Sequence, residues 1–174
     1  LKVDIENNVD SNEPANNDRA NARQLTNGVS QEGYLGSIGD IDWFKITAYA
    51  GQIMKISLSR DISDFEPYVE VYNTANSNMS WTVGDYNANA LISWTGTREG
   101  ILISSDDTYY FKVYDYSNNE YSTTVPYQLK VELSSNPDSN EPANNEKTNA
   151  IEISSGSSIT RYIATTGDVD YFKI

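Results

Sequence analysis

The sequence predicts an all-β protein, an antiparallel β-sandwich of the jelly-roll type, and three observations support this fold class. Apolar and polar residues alternate with a period of two along most of the chain, which is typical of strands with one buried face. Stretches rich in Gly, Asn, Asp and Ser separate these runs at short intervals. No segment has the length of the crossover helix that a parallel sheet requires.

The runs with strand character follow one another from residue 32 to residue 133. The exception to the pattern is Arg19–Leu25, for which one or two helical turns are predicted, with Asn17 or Asp18 as the N-cap. The predicted strands are Glu32–Ile38, Ile41–Tyr49, Gln52–Leu58, Tyr68–Tyr72, Ser80–Val83, Ala90–Trp94, Gly100–Ser104, Thr108–Tyr116 and Val125–Leu133.

A tandem repeat sets the domain organisation. Residues 8–46 recur at 136–174 with an offset of 128 and no gap, and 20 of the 39 paired positions are identical. We therefore expect one complete sandwich module at 1–135 and the N-terminal part of a second copy at 136–174. Two strands cannot form a stable unit alone, so the second copy is expected to dock on the first module or on another chain. Its apolar residues Tyr171, Phe172 and Ile174 are expected to be buried there.

Composition restricts the possible functions. The net charge is −13, which argues against nucleic acid and against anionic membrane surfaces as partners. The chain has no Cys and no His, so thiol chemistry, zinc sites and histidine acid–base catalysis are not expected. The sequence opens at Leu1, and we expect it to be a piece of a larger protein that is secreted or extracellular.

Two acidic patches are retained between the copies. The first spans residues 10–18 and is rich in carboxylate and amide oxygens, and the second is the turn Gly39–Asp42. Calcium takes six to eight oxygen ligands of these types, so the patches predict a Ca²⁺ site. The alternative is that they are solvated Asx-rich turns with a helix cap. The residues singled out by retention in both copies are Asp10, Glu13, Asn16, Asn17, Asp40 and Asp42.

These motifs carry a resemblance. The segments EPANNDRANA, GDIDWFKI, FEPYVEVYN and TYYFKVY, in this order, resemble the bacterial pre-peptidase C-terminal domain family, which includes the collagen-binding domains of clostridial collagenases. The resemblance spans about Asp10–Leu133 and restarts at Asp138. It implies a calcium-stabilised, non-catalytic β-sandwich appended to secreted peptidases and other hydrolases.

The resemblance also implies a set of calcium ligands. In the collagen-binding members, calcium lies at the N-terminal linker, held by the Glu-Pro-Asn segment and the later aspartates. Carried over to this sequence, the ligands would be Glu13, Asn16, Asn17, Asp40 and Asp42. In the second copy they would be Glu141, Asn144, Asn145, Asp168 and Asp170.

A row of tyrosines is the candidate polymer-binding surface. If the apolar faces containing Phe111 and Leu129 form the core, alternation places Tyr110, Tyr114 and Tyr116 outside. Such rings stack on the sugars or prolines of an extended polymer. The alternatives are aromatic pairing across strands that only stabilises the sheet, or coverage by the second copy. Trp81, beside an Asn-rich loop, is a further candidate for contact with the polymer.

The function expected from the sequence is that of a non-catalytic, calcium-binding accessory module. It would tether a catalytic domain of the same full-length chain to an insoluble extracellular polymer, either collagen-like or a polysaccharide. The alternative is a structural spacer, or a folding or secretion module, with no polymer ligand. The 25 acidic residues include no pair marked out as flanking a deep cleft, so an enzyme is not expected.

Overall fold

The structure of the protein, a computed structural model, describes residues 15–61, 65–84, 94–135, 144–159, 161, 163 and 169–174. The predicted all-β class is confirmed, since strands dominate the described residues and the helical content there is two 3₁₀-helices of three residues each. No helix of these residues is both long and apolar enough to cross a membrane. The strands are β1 (Arg23–Gln24), β2 (Ser30–Gly33), β3 (Ile41–Ala48), β4 (Gln52–Arg60), β5 (Pro67–Tyr72), β6 (Asn78–Gly84), β7 (Trp94–Leu102), β8 (Asp107–Asp115), β9 (Tyr127–Ser135), β10 (Ile151–Glu152) and β11 (Phe172–Lys173).

Two sheets form the first module. The five-stranded sheet has the order β1-β3-β8-β5-β6, and the four-stranded sheet has the order β2-β9-β4-β7. All the pairs within them are antiparallel except β1–β3, which is parallel. The predicted sandwich is therefore confirmed, and its two sheets share one hydrophobic core.

The core is formed by alternate residues of the central strands. In β8, Tyr109, Phe111 and Val113 are buried, and in β9 Leu129 and Val131 are buried. The Phe111 and Leu129 faces thus point inward as predicted. Because side chains alternate across a strand, the intervening residues of β8 must lie on the outer surface of the five-stranded sheet.

Strand β7 differs from the prediction. Two separate strands were expected near Trp94 and Gly100, but Trp94–Leu102 is one strand that pairs with β4. The register shifts between Met54 and Ile56 of β4, and Gly100 opposite this shift has a φ of +73°. A β-bulge with glycine in the left-handed region accounts for the break in the alternating pattern. Residues 90–93 lie outside the described part of the chain.

The bounds of two further elements differ from the predicted ones. The expected strand Glu32–Ile38 is limited to Ser30–Gly33, and Ile38 is exposed. The expected helical segment is a single 3₁₀ turn, Arg19–Asn21, for which the Asp18 carboxylate accepts a hydrogen bond from the Asn21 backbone N–H at 3.0 Å. The predicted cap at Asp18 is thus confirmed, although the helix is shorter than expected.

The second copy repeats the local structure of the first. Its 3₁₀-helix, Lys147–Asn149, and the parallel pair β10–β11 occupy the positions of the first copy's helix and β1–β3 pair, shifted by 128 residues. Its apolar residues, however, are not buried: Phe172 is 40% exposed and Ile174 is 97% exposed, whereas their counterparts Phe44 and Ile46 are core residues. The expectation that Tyr171, Phe172 and Ile174 are buried against the first module is therefore wrong, and their burial against another chain stays a prediction.

Truncation should test the module boundary at residue 135. Both sheets of the first module take their described strands from residues 23–135. A chain of residues 1–135 should therefore melt within about 4 °C of the full chain, the shift that a loss of about 1 kcal/mol produces in a small domain. Unfolding of the truncated chain in circular dichroism would show that the copies share structure across this boundary.

Candidate functional site

The candidate site is centred on the side chain of Asp42, which is fully buried. Its Oδ1 accepts a hydrogen bond from Asn16 Nδ2 at 2.8 Å, and its Oδ2 accepts a short hydrogen bond from the hydroxyl of Tyr127. Asp42 belongs to β3 of the five-stranded sheet, whereas Tyr127 belongs to β9 of the four-stranded sheet. One carboxyl group therefore joins the two sheets and the segment that precedes them.

Tyr127 lies on the same face of β9 as Leu129, which alternation assigns to the core, and its hydrogen-bonding role was not anticipated. Its ring lies over Gly33, where an added Cβ would overlap the phenol. A buried tyrosine requires a partner for its hydroxyl group, and this requirement was the available signal. A glycine facing the ring makes room for the hydroxyl to reach Asp42.

Asn16 is 2% exposed and is anchored in two ways. Besides the side-chain bond to Asp42, its carbonyl oxygen accepts a hydrogen bond from the Trp43 backbone N–H at 2.8 Å. The side-chain Oδ1 of Asn16 is buried without a hydrogen-bond partner, and so is Oδ1 of Asn17. A buried amide oxygen that accepts no hydrogen bond is costly in free energy, and it is also an available ligand atom for a hard cation.

Asp40 has different surroundings from Asp42. Its Oδ2 accepts a hydrogen bond from Gly36 N at 2.7 Å, and its Oδ1 accepts one from Ile41 N at 2.8 Å. The carboxylate thus closes the turn before β3, as an Asx-type turn does. Although both aspartates are buried, these hydrogen bonds give Asp40 a structural role of its own.

The structure describes only some of the residues of the predicted metal site. Among the described residues, no three or more acidic side chains are grouped so as to hold a metal ion. Glu13, Glu141 and Asp168 lie outside these residues, as does Asp10. The described oxygen atoms that are buried without a hydrogen-bond partner, and so are available to calcium, are amide oxygens of Asn16 and Asn17 in the first copy and of Asn144 in the second.

The second copy reproduces the Asn–Asp contact. Asn144 Nδ2 donates to Asp170 Oδ1 at 2.7 Å, and the Asn144 carbonyl oxygen accepts from Tyr171 N at 3.0 Å. Oδ1 of Asn144 is again buried without a hydrogen-bond partner. The copies differ at Arg161, which occupies the position of Gly33. A side chain there would overlap a ring placed like that of Tyr127.

The candidate polymer surface is the outer face of the five-stranded sheet. The strand register places Tyr110 of β8 beside Tyr72 of β5, and Tyr114 beside Tyr68. Tyr116, which follows β8, is 49% exposed. The predicted outward orientation of Tyr110 and Tyr114 is confirmed, and both are partly buried by neighbouring side chains.

These aromatic side chains contact one another and two cations. The ring of Tyr68 lies 5.4 Å from that of Tyr114 and 5.3 Å from that of Tyr116, between centroids. The guanidinium of Arg19 lies 4.0 Å from the Tyr110 centroid, and the ammonium of Lys112 lies 4.5 Å from that of Tyr114. Contacts of this kind stabilise the sheet as well as a ligand.

Trp81 does not belong to this outer face. It is partly buried and packs against the core, where its ring is stacked on that of Tyr109 at 5.4 Å between centroids. Trp81 is two residues from Val83, which is buried, so both lie on the inner side of β6. Trp81 therefore does not share the face of the tyrosines, and its contact with a polymer stays a prediction.

Several phenols of this sheet resist ionisation. Partial burial, followed by the negative charge of Glu70 and the neighbouring Tyr68, raises the pKa of Tyr114 well above its ordinary value of about 10. Burial and a hydrogen bond to Glu70 also raise the pKa of Tyr72. The hydroxyl groups of both residues therefore remain protonated, and that of Tyr72 donates to the Glu70 carboxylate.

Comparisons with known proteins found no matching family model and no matching curated protein. Among solved structures, the chain is similar to the pre-peptidase C-terminal domain of a collagenase from Bacillus anthracis, with 16% identity, a TM-score of 0.43 and coverage of 64% of this chain and 94% of that one. It is also similar to PliG of Aeromonas hydrophila, a periplasmic inhibitor of g-type lysozyme, with 15% identity, a TM-score of 0.45 and coverage of 65% and 96%.

A third similar structure is a cycloisomaltooligosaccharide glucanotransferase of Paenibacillus sp. in complex with cycloisomaltoheptaose. Its identity is 19% and its TM-score is 0.35, and the match covers 69% of this chain but 18% of the enzyme. At these identities and TM-scores the similarities concern the fold, and they carry no argument about function.

Replacing Tyr127 with Phe should destabilise the module by about 1–3 kcal/mol, because the buried Asp42 carboxyl loses one donor. The change removes one oxygen atom and keeps the ring, so the core packing is preserved. Urea unfolding followed by circular dichroism measures the difference. Tyr49→Phe, at a residue that is 58% exposed, is the control and should change stability by less than about 0.5 kcal/mol. Equal stabilities of the two variants would contradict the role of the Tyr127 hydroxyl group.

Stability should decline at alkaline pH. The folded-state pKa of Tyr114 is raised above the unfolded value of about 10. Its contribution to the free energy of unfolding is therefore fully present below about pH 10 and is lost as the pH rises towards the folded-state pKa. The urea midpoint should therefore fall between about pH 10 and pH 12. Tyr114→Phe should make this fall shallower, whereas Tyr121→Phe, at an exposed residue, should leave it unchanged. An equal fall in both variants would contradict the claim that ionisation of Tyr114 destabilises the fold at high pH.

Proposed function

We propose that this chain is a non-catalytic, calcium-binding accessory module of a secreted bacterial hydrolase, and that it tethers the enzyme to an insoluble polymer, collagen-like or polysaccharide. In this proposal, residues 1–135 form one module and residues 136–174 begin a second tandem copy. Tethering raises the effective concentration of a catalytic domain at its substrate, and tandem modules add avidity. No catalytic role is assigned to any residue.

The observation that carries the calcium proposal is the buried, unpartnered amide oxygen of Asn16, which recurs at Asn144. In both copies the amide nitrogen donates to the aspartate carboxyl, and this leaves the amide oxygen as the group without a partner. Calcium would satisfy this oxygen and would neutralise part of the charge that is concentrated in the patch at residues 10–18. Asn16 and Asn17 would hold the ion together with Glu13, and Asp40 and Asp42 remain candidate ligands.

The polymer proposal is supported by the tyrosine-rich outer face of the five-stranded sheet. Rings that remain partly exposed next to hydrogen-bonding groups are frequent anchors in recognition surfaces. The second candidate function, a structural spacer or secretion module without a polymer ligand, is favoured by a different observation. The rings of Tyr68 and Tyr114 pack against each other, which stabilises the sheet without any ligand.

Calcium should raise the melting temperature of the chain relative to EGTA. An ion that binds only the folded state adds about 2.7 kcal/mol at a hundredfold excess over its Kd. Scanning calorimetry in millimolar Ca²⁺, in millimolar Mg²⁺ and in EGTA measures the shift. Equal melting temperatures in Ca²⁺ and EGTA would contradict the calcium proposal.

A matched pair of double variants separates ligation from a general charge effect. Glu13→Gln with Glu141→Gln removes the proposed carboxylate ligand of both copies and should abolish most of the calcium shift. Glu32→Gln with Glu99→Gln removes the same charge from exposed positions on β2 and β7 and should retain the shift. Loss of the shift in both variants would attribute the effect to net charge.

Retention on insoluble polymers tests the tethering function. The chain is incubated with collagen, cellulose, xylan and chitin, and the bound fraction is measured after washing. Retention on one of these polymers supports the proposal. Absence of retention on all four, for a chain shown to be folded, would favour the spacer function.

A further inference from the structure

The outer face of the five-stranded sheet is divided into two aromatic clusters. The first contains Trp43, Tyr72 and Tyr110, in which the Trp43 and Tyr72 rings lie 5.5 Å apart between centroids; we call it the Tyr110 cluster. The second, the Tyr114 cluster, contains Tyr68, Tyr114 and Tyr116. Tyr110 and Tyr114 are four residues apart on β8, which corresponds to about 13 Å along an extended strand.

A charged pair separates the two clusters. Lys112 lies between Tyr110 and Tyr114 on β8 and pairs in register with Glu70 of β5, and its ammonium is 3.9 Å from the Glu70 carboxylate. Their side chains are 25% and 22% exposed, so both reach the surface. The face therefore presents aromatic rings, then a donor and an acceptor side by side, then aromatic rings again.

The Glu70 carboxylate is held firmly in place. It accepts a hydrogen bond from the Tyr72 hydroxyl, which belongs to the Tyr110 cluster, at 2.8 Å, and it pairs with the Lys112 ammonium. A carboxylate has about four acceptor positions and an ammonium has three donors. After these contacts and their mutual pairing, Glu70 and Lys112 retain the capacity to accept from and donate to a ligand at adjacent points.

The negative charge on this face is paired. Glu70 lies against Lys112, while Arg19 over Tyr110 and Lys45 beside it in register add positive charge. The whole chain nevertheless carries a net charge of −13. An anionic polymer would be repelled by the molecule as a whole, whereas an uncharged polymer meets the rings and hydrogen-bonding groups of this face without that repulsion.

A small pocket adjoins the Tyr114 cluster. Its volume is about 270 Å³, and it is lined by Gly39, Asp40, Ile41, Lys112, Tyr114 and Asn118. This volume is near the lower limit of about 300 Å³ for small-molecule sites, which suits one ring-sized unit. The lining combines an aromatic ring with amide, carboxylate and ammonium groups, and Lys112 connects the pocket to the charged pair.

We propose that this face binds an uncharged polysaccharide, with sugar rings on the two aromatic clusters and hydroxyl groups on Glu70 and Lys112 between them. This inference rests on the proposed polymer-binding function and assigns its ligand class. A sugar ring has an apolar C–H face for aromatic contact and hydroxyl groups that both donate and accept, and it matches the alternation of this surface. A collagen triple helix offers prolyl rings, but proline has no N–H, and the hydroxyl groups of its hydroxyprolines are fewer than those of a sugar chain.

The test measures retention of the full chain on cellulose, xylan and chitin, on the anionic polymer pectate and on collagen, at 50 and 500 mM NaCl. We expect retention on an uncharged polysaccharide that changes less than twofold with salt, since no net charge pairing drives it. Soluble oligosaccharides of the retained polymer should compete. Retention on collagen or pectate alone, or a large loss at high salt, would overturn the ligand class while leaving a polymer-binding function in place.

Single variants test the location of the site. Tyr110→Ala and Tyr116→Ala, one in each cluster, should each reduce affinity for the retained polysaccharide at least tenfold. Tyr49→Ala, at an exposed tyrosine beyond the end of β3, should leave it unchanged. Melting temperatures of all three variants establish that they are folded. Unchanged affinity in both cluster variants would overturn the site, whereas no retention of the unmutated chain on any polymer would overturn the proposed tethering function itself.

Discussion

The fold of the module depends on one buried carboxyl group. Asp42 lies inside the sandwich with no exposed surface, and it receives hydrogen bonds from Asn16 and Tyr127. These two donors come from different parts of the chain, the N-terminal segment and the four-stranded sheet. A carboxyl group in an apolar interior is costly unless it is hydrogen-bonded, so the sheets and the N-terminal segment must adopt one relative arrangement. The interaction thus specifies the arrangement as well as stabilising it.

The alternation of side chains along the strands determines which residues form the outer face. With Phe44, Phe111 and Val113 fixed in the core, alternation forces Tyr110, Lys112 and Tyr114 outward. The facing strand β5 follows the same rule, so Tyr68, Glu70 and Tyr72 lie beside them. Gly84 opposite Tyr68 has no side chain, and an added Cβ would overlap the Tyr68 ring. Glycine therefore makes room for an aromatic ring here, as Gly33 does for Tyr127.

The sequence was sufficient to predict what depends on local periodicity. The strands β3, β4, β8 and β9, the inward faces of Phe111 and Leu129, and the cap at Asp18 follow from alternation and capping chemistry. The Asn16–Asp42 contact was only partly anticipated, as retained residues grouped at one site. The bond from Tyr127 to Asp42 was not, because 85 residues separate them and local periodicity does not reveal which tyrosine crosses between sheets.

The errors have similar physical causes. The bulge at Gly100 interrupts the period-two pattern, so β7 was divided into two. Trp81 lies on the edge strand β6 and packs part of its ring against the core, which the Asn-rich loop beside it in the sequence does not indicate. In the second copy, Phe172 is exposed although its sequence matches that of Phe44. Local hydrogen bonds recur in both copies, whereas the burial of Phe44 depends on its long-range pairing with β8, which similarity between the copies does not specify.

A double-mutant cycle between Asn16→Ala and Tyr127→Phe tests the central role of Asp42 most directly. The two residues have their side-chain hydrogen bonds to Asp42 in common, so their effects on the free energy of unfolding should be coupled through it. Urea unfolding of the wild type, both single variants and the double variant gives the coupling energy. We expect a coupling energy between the two substitutions of at least about 0.5 kcal/mol, and of up to about 3 kcal/mol. Additive effects, within about 0.3 kcal/mol, would contradict the claim that one carboxyl group links the N-terminal segment to both sheets.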